Sequence, residues 1–402
     1  MTERLFDGLV VLDIASFIAA PVATTILADF GAEVIKVEAP GGDGYRNLAF
    51  GAGMPDTDGK NFGWMCDNHS KKGVCLDLAS DGGQEILHRL IAKADVLVTN
   101  FPMPVRRKLK LMYEDVAHIN PRLIYASLTA YGEDGPESER TGFDSTALYA
   151  RTGMMDMMRA PGTAPVRSLP GMGDHPTGTA LYGAIMTGLY KREKTGKGCH
   201  VSTSLVANGM WMNGYYAQAA LLGAQVELRP HRDDAPNAMA NHYCAKDGRW
   251  FILAVLNEAK QAPSLFAAMG RPDLAEDPRF ADQTARRENS LALTKVMDQL
   301  FAEQDWAYWK ARFDELGITY GQVAKMEDLA GDGQLLHAGA VVPGGEDFGA
   351  SWGVGTPVFV KDEVKQPPFA APAVGEHNDA ICRDLGYSDA EVAAFKEAGV
   401  LK

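Results

Sequence analysis

The chain has 402 residues, 46% hydrophobic and 23% charged, with 52 Asp and Glu against 39 Lys and Arg, for a net charge of −13. This is ordinary globular composition, long enough for two or three packed units, and it excludes a disordered or fibrous protein. The acidic balance argues against a general nucleic-acid or membrane-surface role, because it repels polyanions unless positive charge is gathered locally. Cys66, Cys75, Cys199, Cys244 and Cys382 are odd in number, scattered and without a CxxC pair, so reduced thiols in the cytoplasm are expected rather than a disulfide frame. The opening MTERLFDGLVVLDI lacks a signal peptide's basic start and cleavage site, and no uncharged run is long enough to span a bilayer.

In chain order, short apolar runs alternate with helix-like stretches, the pattern of a parallel α/β sheet. Strands are expected at Leu9 to Ile14, Val34 to Val37, Val74 to Leu78, Val96 to Thr99 and Leu123 to Ser127. Between the third and fourth, Ile86, Leu87, Leu90 and Ile91 recur on one helical face, with Gln84, Glu85, Arg89 and Lys93 as its polar complement. After His175 a helix runs to a basic last turn and stops at Gly196 and Gly198, and a strand follows at Val201 to Leu205. A polar, Pro-containing stretch from Val226 to Pro236 connects out of a first domain of residues 1–225. NHYCAKDGRWFILAV then reads as a hairpin turning at Asp247 and Gly248. Helical periods from Glu258 to Leu316, anchored by Trp306, Trp309 and Phe313, complete a small α+β domain of residues 226–330. In residues 331–402, Gly339 to Pro372 is rich in Gly and Pro and is expected to be extended, before a last helix capped by Ser388 and Glu391.

Several chemistries are excluded by reading. GAGMPD lacks the last glycine and the preceding strand of a dinucleotide fingerprint, and there is no P-loop, HExxH or GxSxG. The histidines show no metal-ligand spacing, so no metal is expected. Arg106, Arg107, Lys108 and Lys110 cluster just after the strand ending at Asn100-Phe101-Pro102. There a doubly wound sheet places a phosphate-bearing ligand, while a solvated helix face is the plain alternative. Lys71 and Lys72 are a second such pair. GMGDHPTG, residues 171–178, sets Asp174 between a glycine and a histidine at a helix start, where small neighbours admit a bulky ligand. Asp174 there fits a nucleophile toward an activated acyl carbon, and it fits an N-cap, the commoner role. His175 fits a structural part, since adjacent residues at a helix start point apart.

Together GLVVLDIASFIAAPVATTILADFGAEVIKVEAPGGD, NHSKKGVCLDL, DVLVTNFP, NPRLIYASLTAYGEDGP, GMGDHPTGT, YKREKTGKG and GEHND resemble, in order and over almost the whole chain, the class III CoA-transferase family, which includes formyl-CoA transferase, carnitine CoA-transferase and α-methylacyl-CoA racemase. The resemblance implies a large Rossmann-like domain binding coenzyme A, a smaller domain, a C-terminal segment returning to the large one, and a homodimer of interlocked rings. It implies that Asp174 is the nucleophile, through aspartyl anhydride and aspartyl-CoA thioester intermediates, in transfer of CoA from an acyl-CoA to a carboxylic acid. It also carries CoA contacts onto Ser16, Phe17, Lys71, Lys72, Asn100, Phe101, Lys108 and Tyr131.

The departures narrow the substrate. Ile18 stands where the formyl-CoA branch has Gln, Ala39 where it has a basic residue, and Thr129 where it has Lys, which counts against oxalate, a small dianion that wants polar partners. Gly142-Phe143-Asp144 replaces the Gly-His-Asp of the racemases, and a phenyl ring cannot take the place of an acid/base imidazole. SFIAAP and LYARTGMM are more similar to transferases of hydroxyacyl, aryl or enoyl acids. Intramolecular CoA transfer within a dicarboxylic acid and a non-catalytic CoA-binding protein remain as alternatives.

Overall fold

The structure, a computed structural model, describes residues 4–51 and 53–402. The first three residues of the expected large domain and Ala52 of GAGMPD lie outside the described residues. In chain order come β1 (Val10–Asp13), α1 (Ala19–Asp29), β2 (Glu33–Glu38), α2 (Phe62–Asn68), β3 (Lys72–Cys75), α3 (Asp81–Lys93), β4 (Val96–Thr99), α4 (Met103–Lys108), α5 (Tyr113–Val116), β5 (Ile124–Thr129), α6 (Met154–Met157), α7 (Asp174–Thr195), β6 (Cys199–Ser204), α8 (Leu205–Met212) and α9 (Gly214–Leu221). The strands pair in parallel as a six-stranded sheet in the order β3-β2-β1-β4-β5-β6. Parallel strands need crossovers and are covered on both faces, which is why VVLD and VLVT are nearly unbroken apolar runs.

One face packs Leu12, Ile35, Val74 and Leu97 against Ile86, Leu87, Leu90 and Ile91 of α3, as its periodicity predicts. The other packs Val11, Val34, Val98 and Ala126 against α1 and α7. Every residue of α1 is buried, so it has no polar stripe for a periodicity to mark. A Cβ at Gly178 would lie 2.5 Å from the Ala19 carbonyl, and the close approach of α7 to α1 depends on that glycine. The third strand starts at Lys72, two positions before its expected start at Val74.

The chain divides into two compact units, one comprising the chain through Met155, Arg167–Gln225 and Asp332–Lys402, the other Asp156–Val166 and Val226–Gly331. In the second, β7 (His242–Cys244) and β8 (Trp250–Leu253) form the antiparallel hairpin, and β9 (Tyr320–Gln322) pairs with β8. Helices α10 (Glu258–Ala268), α11 (Gln283–Glu288), α12 (Ser290–Phe301) and α13 (Trp306–Leu316) enclose a core containing Phe251, Phe301, Trp306, Trp309 and Phe313.

After α14 (Gly333–His337), the Gly- and Pro-rich tail is not extended throughout. Its β10 (Val341–Pro343) and β11 (Trp352–Val354) pair antiparallel. Helices α15 (Asn378–Asp384) and α16 (Asp389–Glu397) follow, the second opened by the Ser388/Glu391 capping box. This segment closes the outer edge of the sheet. The Gly73 amide donates to His377 Nδ1 at 3.1 Å, the His377 amide donates to the Gly73 carbonyl at 2.9 Å, and Leu401 bridges Leu76. No helix among the described residues is long and apolar enough to cross a membrane.

Candidate active site

The strand order reverses between β1 and β4, and the crevice at their carboxyl ends is where an open α/β sheet receives its ligand. The loops leaving these strands carry Ser16 and Phe17, and Asn100 and Phe101. The Asn100 side chain accepts from the Ser16 amide at 2.8 Å and donates to the Ser16 carbonyl at 2.7 Å, so the two loops are locked together. Phe17 adopts a left-handed backbone (φ 59°), with its amide donating to Asp43, and its ring meets Phe143 edge to face at 5.7 Å. Gly142 lies against Tyr131, where a Cβ would come within 3.0 Å of the ring. Asp144 then accepts from the Gly173 amide at 3.1 Å. A continuous set of contacts thus runs from the β1 and β4 loops to the residue before Asp174.

Asp174 is the first residue of α7, and the N-cap is Gly173, with no side-chain cap bond. The capping role considered for Asp174 is therefore not the one it plays. Among the described residues its carboxylate makes no hydrogen bond or ion pair. Burial, and after it the Asp144 charge, pushes its pKa up to about 7, with His175 pulling the other way. A Cβ at Gly173 would collide with Asp144 and Leu148 at 2.9 Å, so the glycine is what lets the turn sit this close.

His175 is anchored by both ring nitrogens. Nε2 lies 2.9 Å from Asp67 Oδ1 and Nδ1 lies 3.0 Å from the Gly171 carbonyl. Two acceptors require two N–H donors, so the ring is an imidazolium, and its bond to Asp67 pushes its pKa up to about 11. Tyr45 donates to the other Asp67 oxygen at 2.5 Å. Ligand atoms of Cys66, Asp67 and His175 lie within 4.8 Å of one another. Both Asp67 oxygens already accept hydrogen bonds, from Tyr45 and His175, so the cluster is a bonded network in its own right.

The basic residues separate by role. Lys71 is buried, its Nζ bonded to Asp13 Oδ2, the Pro21 and Asp67 carbonyls and Asn68 Oδ1 at 2.9–3.0 Å, so its protons are committed inside the fold rather than turned to a phosphate. Burial lowers its pKa to about 8. Beside it, Lys36 also reaches Asp13, at 3.4 Å. Burial opposes ionisation of Asp13, but the two ammoniums hold its carboxyl below the ordinary value. Lys72 pairs with Glu33, the first residue of β2, at 2.5 Å and is not gathered with Ser16 and Asn100. On α4, Arg106 is buried, bonding the Phe101 carbonyl and, at 2.8 Å, Glu133. Arg107 pairs with Glu139, while Lys108 is exposed and has no ion pair among the described residues. Asp67 carries no sequence signal and is known only from what it holds in space; Asp144 stands in the Gly142-Phe143-Asp144 triplet, but its bond to the Gly173 amide is visible only in the structure.

The sequence profile described as CoA-transferase family III matches residues 6–378. The chain is 32% identical to (R)-2-hydroxy-4-methylpentanoate CoA-transferase of Clostridioides difficile, covering 99% of this chain and 100% of that one. It is 31% identical to cinnamoyl-CoA:phenyllactate CoA-transferase of Clostridium sporogenes, over 98% of this chain and 96% of that one. A CAIB/BAIF family protein from Brucella suis superposes with a TM-score of 0.84 at 30% identity, covering 96% of this chain and all of that one.

Proposed function

Because the chain belongs to CoA-transferase family III and is a CoA-transferase, we propose that it moves CoA from an acyl-CoA donor to a free carboxylic acid with Asp174 as the nucleophile. The observation that carries this reading is the unpartnered carboxylate at the start of α7, joined by contacts to the loops at the sheet's switch point. The Asp174 carboxylate adds to the thioester carbonyl, the C–S bond breaks, and the CoA thiolate leaves behind an aspartyl acyl anhydride. The thiolate then adds to the aspartyl carbonyl of that anhydride, releasing the donor acid and forming an aspartyl-CoA thioester. An acceptor carboxylate reverses the two steps, so charge is conserved without a proton donor. The fold must keep water from the anhydride; Asp174 is half-buried, with buried Gly173 and Thr177 on either side of its turn.

CoA would lie across Ser16, Phe17, Asn100 and Phe101, with Tyr131 flanking and Lys108 toward its phosphates. Lys71 enters this reading as the buried support of the β1 loop, and Lys72 as a peripheral charge. The working form would be a cytoplasmic homodimer whose rings interlock, an assembly supported by the apolar exposure of α8 and α9, where Trp211 and Tyr215 are each 86% exposed.

Incubation with an acyl-CoA and hydroxylamine should convert Asp174 to a hydroxamate detectable by peptide mass spectrometry. Asp174→Asn should fold and bind CoA while transfer drops by orders of magnitude. Near-normal transfer by that variant would remove Asp174 from the role. Omitting the free acid separates inter- from intramolecular transfer, because only the former then stops.

A further inference from the structure

His175 and Ile18, the residue after Phe17, both line a cavity of about 460 Å³, within the usual range for small-molecule pockets. One wall is the helical turn Gly44–Phe50 with α2; the other is the β10–β11 hairpin and its loop. Its surface is dominated by Ile18, Leu48, Met54, Phe62, Phe348 and Trp352. Three polar groups of the lining are bonded in series, Tyr45 to Asp67 and Asp67 to the half-exposed His175. Pro170 and His175 of the lining belong to the segment that carries Asp174, and a Cβ at Gly171 would meet both His175 Nδ1 at 3.0 Å and Ile18 Cδ1 at 3.6 Å. The cavity therefore reaches the loop of the reacting carboxylate.

We propose that this cavity holds the tail of the transferred acid, and that the acid is a monocarboxylate with a bulky apolar tail, aryl or branched aliphatic. The assignment rests on the transferase reading above. The carboxyl end would sit at the His175 side toward Asp174, leaving the hydrocarbon against the apolar walls. A second carboxylate on the tail would have to shed its water among Phe62, Phe348 and Trp352, where the neutral indole N–H of Trp352 is a single donor against a full negative charge. Lys60 is the other cation of the lining. It is exposed, and its Nζ donates to the Gly349 carbonyl at 2.7 Å, tying the two walls together at the surface rather than reaching inward. Ile18 is buried in the lining and offers a small dianion nothing.

The test is direct binding of free acids to the purified wild-type protein by calorimetry, which needs no turnover. We expect 3-phenylpropanoate to bind at least about tenfold more tightly than succinate or glutarate, a margin set by desolvation of the extra charge. Ala350 lines the cavity from a surface loop. Ala350→Phe should weaken 3-phenylpropanoate by about tenfold or more and leave acetate unchanged; Trp352→Ala should recover space and admit a naphthyl acid. Tighter binding of either dicarboxylate, or indifference of 3-phenylpropanoate to Ala350→Phe while circular dichroism reports a native fold, would overturn the proposal. Should Ala350→Phe fail to fold, the acid ranking on wild type and on Trp352→Ala decides alone. Hydroxylamine trapping on Asp174 reads the transfer mechanism separately: trapping without the acid preference removes only the cavity assignment, and the preference without trapping removes only the nucleophile.

Discussion

As the proposed nucleophile, Asp174 would combine two demands that oppose each other, since a nucleophile must be ionised while shelter from water favours the neutral acid. Burial and the neighbouring Asp144 place its pKa up to about 7, and the imidazolium of His175 is the charge that restrains the rise. The ionised form is the reactive one, so kcat/KM should climb with pH and level off above about 7, with roughly a tenth of the plateau remaining at pH 6. His175 stays protonated throughout that window. Removing its charge with His175→Gln should therefore move the inflection upward, and a pH profile that does not move would assign the ring to loop support alone. At this scale the sequence exposes part of the site. Asp174 is legible because its neighbours are small and contiguous, whereas its electrostatic partner Asp67 binds His175 across 108 positions, a pairing no local spacing encodes.

At the scale of the element, α4 shows how a charge cluster conceals its own division of labour. Four basic residues in a short stretch predict an anion site, but the helical turn sends Arg106 inward to Glu133 and leaves Lys108 outside. Burial opposes ionisation of Glu133, yet hydrogen bonds from His200, Ser127 and Arg106 hold it down to about 2. Lys108→Ala should weaken CoA binding by roughly one to two powers of ten without lowering Tm, the effect of losing one charge-assisted contact. Arg106→Ala should instead cost about 1–3 kcal/mol of stability, by removing a buried side chain and one of the three partners of the part-buried Glu133. Calorimetric CoA titration and thermal melts of both variants check this, and equal effects from the two would dissolve the distinction. The strands were legible because a parallel sheet leaves unbroken apolar runs. The β10–β11 hairpin was not, since Gly and Pro around it resemble a connection and only cross-strand pairing, seen in three dimensions, makes it structure.

For the molecule as a whole, the apolar surface on α8 and α9 is the feature that a single chain leaves unexplained. Trp211, Tyr215, Leu221 and Leu222 are each more than 70% exposed, a concentration that marks an association surface. An obligate homodimer covering well over about 1,600 Å² should result. Light scattering at micromolar concentration should report twice the chain mass of 43.4 kDa, and Trp211→Glu with Tyr215→Glu should lower it or leave the protein insoluble. A stable wild-type monomer would exclude this. The parallel sheet follows from alternation in sequence, but the return of residues 332–402 to the first unit, which only the family resemblance implied, rests on partners such as His377 and Gly73 that lie 304 positions apart.

That closing of the sheet edge has a consequence for biosynthesis. While the chain emerges from the ribosome, Gly73 offers an unpaired amide and carbonyl along an open strand, and the core beneath it lacks Ile381, Cys382, Tyr387 and Leu401. The inserted unit, complete once Gly331 is made, can fold on its own contacts during translation. The enclosing unit, though begun first, must wait more than seventy residues longer with an edge exposed to other nascent chains. The edge of the enclosing unit is thus covered only by residues made long after the segment that carries Asp174, those around His377 and Leu401.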